Sequence, residues 1–196
     1  MASVVGLCNS ALNQIGASNI ISLTEDSKAA RICNQRYEFV RDGVFRAHPW
    51  NCLISRQALA PDATAPSFTY TYQFTLPTDP YCLRILKLSN ADIKFEVEGR
   101  KVLSDDTPLN VVFVARVLDV NQYDMLLVET IVAALAADIA YPLSGSITLA
   151  AQLSSLYRDK LKEARFVDAT EGNTVNTSSI ADSEVISANT FINARL

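Results

Sequence analysis

Apolar residues recur at helical spacing from the start of the chain. Val4, Cys8, Ala11, Leu12 and Ile15 fall on one face and Gly16 follows as a stop, which predicts a helix over 2–16. A second helix is predicted over 24–48. Thr24 or Ser27 caps it, and Glu25 and Asp26 suit the positive end of its dipole. His48-Pro49 closes it, because the residue before proline is pushed out of the helical region. Its inward stripe reads Ala29, Cys33, Tyr37, Val40 and Val44, with Arg31, Arg36, Arg41 and Arg46 mostly off that stripe.

From Trp50 the period changes to two. Phe68, Tyr70, Tyr72, Phe74 and Leu76 alternate with Thr69, Thr71, Gln73 and Thr75, the pattern of a strand with one buried face. Ile93, Phe95 and Val97 alternate with Lys94, Glu96 and Glu98, and Gly99-Arg100 offers a tight turn. Leu109 to Val117 is β-branched and apolar on both faces. With Cys82 to Leu88, these segments predict one small, mostly antiparallel sheet over about 50–118, since the short connections favour hairpins.

Helical spacing returns over 121–141. Leu127, Ile131, Ala134 and Leu135 share one face, with Val128, Val132 and Ile139 extending it around the cylinder. A helix this apolar is predicted to be central, packed on several neighbours, with Tyr141-Pro142 as its stop. Ser144 or Ser146 starts a last helix over 146–171, with Leu149, Leu153, Leu156, Leu161 and Ala164 inward. After Gly172, 11 of the last 25 residues are Asn, Ser or Thr, yet Ile180, Val185, Ile186, Phe191, Ile192 and Leu196 are spread among them. Six large apolar groups favour a segment that orders on a neighbouring subunit over one docked on its own domain. The fold class predicted is therefore α+β: a four-helix body over 1–171, an antiparallel sheet inserted between helices 2 and 3, and an extended C-terminal arm over 172–196.

Composition narrows the function classes. The chain has 196 residues, 49% of them hydrophobic, and a formal charge of −4 without long runs of one sign. Tight binding to nucleic acid or to an anionic membrane surface is not expected of that balance. No Lys or Arg precedes the first apolar run, so a secretory signal is not expected. Met125 to Tyr141 is broken by Glu129 and Asp138 and is too short for a membrane span. The expectation is a soluble intracellular protein with reduced thiols.

The chemistry-bearing residues are sparse. Cys8, Cys33, Cys52 and Cys82 contain no CxxC, and His48 is the single histidine. A zinc set requires all four thiols, or three with His48, and core packing of Cys8 and Cys33 is preferred. Six glycines supply neither GxGxxG nor GxxxxGK[ST], so no nucleotide cofactor is expected. A Ser-His-Asp or Cys-His device rests on His48 alone, in an Ala-His-Pro-Trp corner where a structural hydrogen bond is the better expectation. Asp105-Asp106 and Glu96/Glu98 have no identifiable catalytic partner. Neither catalytic, cofactor nor metal residues are assigned. The aromatics Phe68, Tyr70, Tyr72 and Phe74 lack interleaved Lys and Arg, so core packing or a subunit or tail interface is preferred over base stacking.

The order of segments resembles the tail tubular protein A family, the head-to-tail adaptors of tailed bacteriophages. The resemblance lies in Leu7-Cys8-Asn9-Ser10-Ala11-Leu12 with Ile15-Gly16-Ala17, Ser27-Lys28-Ala29-Ala30-Arg31, and Val40-Arg41-Asp42 to Arg46-Ala47-His48-Pro49-Trp50-Asn51. It continues in Phe74-Thr75-Leu76-Pro77-Thr78-Asp79, Cys82-Leu83-Arg84-Ile85-Leu86 and Val97-Glu98-Gly99-Arg100. It covers residues 3 to about 171, and its specificity lies in the order of motifs that are individually weak. It implies a non-enzymatic virion protein, assembled in the host cytoplasm into a ring of usually twelve copies. Such a ring lies between the portal and the tail tube or nozzle, and DNA passes through without specific binding. Phe191, Ile192 and Leu196 are the expected apolar anchors of the arm on a partner. The alternatives are another neck ring, such as a stopper or tail-completion protein, or a small-ligand binding protein with its pocket in the β insertion.

Overall fold

The computed structural model describes residues 3–90 and 92–171; the expected arm, with Phe191, Ile192 and Leu196, lies outside the described residues. Over the described residues the chain is mixed α+β, with four α-helices and two small antiparallel sheets. α1 (Val4–Ile15) is capped by the Ser3 hydroxyl, which accepts from the Gly6 N–H, and ends on Gly16 at φ 75°, a left-handed position that glycine adopts without a Cβ penalty. α2 (Lys28–Ala47) starts later than the acidic residues Glu25 and Asp26 suggest, because Ser27 rather than Thr24 caps it by accepting from the Ala30 N–H. The Glu25 carboxylate is instead taken by the Ile21 and Ser22 N–H groups of the preceding turn.

α3 (Met125–Ser144) begins on Asp124, whose carboxylate accepts from the Leu126 and Leu127 N–H groups. It does not stop at Tyr141-Pro142 but runs one turn further to Gly145 at φ 69°. A proline removes only its own N–H, and near a helix end that loss is small. The Pro142 carbonyl accepts from the Lys28 ammonium, which ties the turn to the start of α2. α4 (Ile147–Glu171) starts where Ser146 accepts from the Leu149 N–H.

The β insertion holds two sheets where the alternation predicts one. In the first, β1 (Ile54–Leu59), β6 (Leu109–Ala115) and β3 (Cys82–Leu88) run in the order β1-β6-β3. In the second, β2 (Tyr72–Thr75), β5 (Lys101–Ser104) and β4 (Phe95–Glu98) run in the order β2-β5-β4. β4 and β5 form the hairpin expected at Gly99-Arg100, with Glu98 opposite Lys101 and Gly99 at φ 57°.

Two cores follow from this layering. The helical core joins Leu12, Cys33, Phe45, Trp50, Leu127, Ile131, Leu135 and Ile139 to Leu83 and Val114 of the first sheet. The second core holds Phe74, Leu76, Val102, Val111, Phe113 and Ala115 between the sheets. Successive residues of a strand point to opposite faces, so Val114 meets the helices while Phe113 and Ala115 meet the second sheet. That is why the run from Leu109 reads as apolar on both faces. α3 is long and apolar enough by composition to cross a membrane, and its apolar faces are occupied by α1, α2 and α4.

Candidate interaction surfaces

The four aromatics read as one strand face do not share one. Regular pairing covers only Tyr72–Thr75, because Thr69 has φ 74° and the Thr71 N–H and hydroxyl are both drawn to Asp105 Oδ1, at 2.8 and 2.9 Å. Phe74 is fully buried in the second core and Tyr72 lies half-buried beside it, ring centroids 6.5 Å apart. Tyr70 is half-buried at the edge of the sheet, and Phe68 is 81% exposed. Phe68 and Tyr70 instead line an open hollow of about 470 Å³ with Gln73, Glu96, Glu98 and Lys101. Across its rim, Lys101 binds Asp62 at 2.8 Å and holds that carboxyl below the usual carboxylate range.

The most highly charged arrangement lies on the other side of the insertion, at the junction with α2. A cleft of about 570 Å³ is lined by Arg46, Arg84, Arg100 and Arg116, with Asp42 its one acidic residue and Leu76, Ile85, Phe95 and Val97 among its apolar walls. Tyr81 stands between two guanidinium groups, 4.0 Å from Arg100 and 4.3 Å from Arg116 to the ring centroid. Arg100 donates to the carbonyls of Cys82, Leu76 and Pro77 and so clamps the β2–β3 loop. Arg46 donates to the Leu83 carbonyl, and Arg84 to the Arg46 carbonyl at 3.1 Å.

Asp42 joins this cleft to the core. One of its oxygens takes Arg116 at 2.5 Å and the other takes both Nε and Nη2 of Arg41, at 3.0 and 2.9 Å. Arg41 is 4% exposed, contrary to its expected place off the buried stripe of α2. Cys33, Tyr37 and Val44 are buried as expected, but the stripe extends to Ala30, Arg41 and Phe45, while Ala29 and Val40 are only half-buried. The spacing carried a signal for this, since Tyr37, Arg41 and Phe45 recur every fourth residue, and both rings lie within 6 Å of the Arg41 guanidinium.

His48 makes a structural contact, of the kind its corner position suggests. Its Nε2 lies 2.9 Å from Asp168 Oδ2, the other carboxylate oxygen accepts from the Asn51 N–H, and Asn51 Nδ2 donates to the Asp168 carbonyl. Trp50 Nε1 donates to the Val44 carbonyl, and Arg165 to the Ala47 carbonyl. Asp168 is a buried acid that periodicity alone did not single out, because its partners lie about 120 residues away in sequence. The thiol near this corner is not an activated nucleophile: burial pushes Cys52 up, and the nearby Asp168 and Asp124 carboxylates add to the shift. Cys8 and Cys33 lie together in the helical core, where their mutual hydrogen bond, then burial, raises the Cys8 thiol well above its usual range. Among the described residues no three His, Cys, Asp or Glu side chains converge as a metal set.

The chain matches no protein-family model, and no curated protein sequence gives a significant match.

Proposed function

We propose that this chain is a structural ring subunit, a head-to-tail adaptor of the tail tubular protein A kind, joining a portal to a tail component in the neck of a virion. One observation carries the reading: the ordered motifs from Leu7 to Arg100 that resemble that family. Several of their polar residues serve as fasteners rather than reagents. His48 and Asn51 fasten the end of α2 to α4, Trp50 folds back on the Val44 carbonyl of α2, Arg41-Asp42 fastens α2 to the strand end at Arg116, and Arg100 clamps the loop before β3. Motifs whose residues fix shape suit a protein that works by docking.

A closed ring uses a heterologous interface, one face of a subunit against a different face of the next. Large apolar side chains stand exposed on unlike elements: Phe39 on α2, Phe166 on α4 and Phe68 in the loop before β2. Apolar anchors in a desolvated contact each contribute on the order of 2 kcal/mol. In this reading Phe68 and Tyr70 serve a subunit or tail contact, Phe191, Ile192 and Leu196 anchor the arm on a partner, and DNA passes an acidic wall that repels phosphate. The test is to mix the full chain with purified portal rings and record particle envelopes. An added ring of density beneath the portal supports the proposal, and unchanged portal particles at saturating chain overturn it.

A further inference from the structure

The arginine cleft is charged out of proportion to the rest of the molecule. Four guanidinium groups line it against the single carboxylate of Asp42, which Arg41 also shares, in a chain of formal charge −4. Arg46, Arg84 and Arg100 form no ion pair among the described residues; each is held in place by backbone carbonyls, which orient a guanidinium without neutralising it. Arg116 Nε is buried with no acceptor among the described residues. Fixed, forked donors with unspent charge are suited to a planar carboxylate; Asp42 meets Arg116 through Nη2 alone and leaves the Nε side of the fork open. The walls are apolar where Ile85, Phe95 and Val97 come to the surface beside the buried Leu76, and the volume of about 570 Å³ is that of a ligand pocket.

We propose that this cleft binds the carboxylate side chain of an acidic peptide segment, one that carries Asp or Glu next to a large apolar residue, presented by a partner polypeptide. The inference does not depend on the adaptor reading. A nucleic-acid phosphate is the less suitable occupant: a strand needs a basic track with successive stacking rings along its length, whereas here the charge converges on one apolar-walled cleft, with Tyr81 held between two of its guanidinium groups.

The test uses the full chain and a fluorescein-labelled, capped peptide Ala-Leu-Glu-Glu-Leu-Ala, followed by polarisation at low salt. Saturable binding is expected, at least tenfold weaker for the same peptide with both Glu replaced by Gln. Arg84→Gln and Arg46→Gln should each weaken it at least fivefold, two separate variants so that poor folding of one leaves the other as the test. Arg158→Gln, an exposed change on α4, should leave it unchanged. Absence of saturable binding, equal binding of the Gln peptide, or equal loss in Arg158→Gln overturns the proposal. A labelled ten-residue oligothymidylate that binds more tightly than the acidic peptide, with the same dependence on Arg84, also overturns it and reassigns the cleft to phosphate.

Discussion

Asp42 and Asp168 do different work with the same chemical group. Asp42 compensates Arg41, a buried guanidinium between two aromatic rings, so its loss leaves an isolated charge where water hardly reaches. Removing one partner of such a pair costs about 3 kcal/mol or more. Asp42→Ala is therefore expected to lower Tm by on the order of 10 °C for a chain of this size, read by thermal denaturation. Asp168 accepts from the Asn51 N–H and pairs with the His48 ring nitrogen, and Asp168→Ala strands those partners at a cost of about 2 kcal/mol. Its Tm should fall roughly half to two-thirds as far as that of Asp42→Ala. A reversed order contradicts the assignment of Arg41 as the more demanding buried group.

At the scale of elements, the second sheet is joined to the loop before β2 by Asp62, a carboxylate that titrates low. Lys101, first, and then the Thr75 hydroxyl hold Asp62 below its ordinary value of 3.8. A depressed carboxylate contributes stability above its unfolded value and loses that contribution as pH falls through its folded value. Unfolding midpoints of the wild-type chain and Asp62→Asn should therefore differ at pH 6, keep most of that gap down to pH 3.8, and converge only as pH falls further, through the folded value. A gap that stays constant across that range contradicts the Lys101 pairing. Much of this level was legible in the chain: four helices, the Gly99 hairpin and the two-faced strand at Leu109 all follow from period and turn chemistry. Most of what was not legible depended on partners distant in sequence. The strict alternation from Phe68 failed because Asp105, more than thirty residues away, captures Thr71 and peels that segment from the sheet. β1 carries little apolar signal because it is an edge strand with one buried residue, Leu59. Pro142 did not end α3 because it lies in the last turn, where the lost N–H costs little. The arginine cleft escaped notice because its four arginines are spread over seventy residues and meet only in the fold.

At the scale of the whole molecule, the proposed adaptor works by shape and docking. Truncation after Glu171 is expected to leave the helix content of the body unchanged by circular dichroism while abolishing attachment to portal rings; normal attachment removes the arm from the proposal. The ring itself is the central claim, and native mass spectrometry of the purified full chain over a concentration series tests it most directly, alone and with portal added. The account predicts a closed oligomer of about twelve copies, or its appearance once portal is present, since a partner can supply the association free energy that the free subunits lack. A chain that stays monomeric at every concentration, with no mass added to the portal, contradicts it.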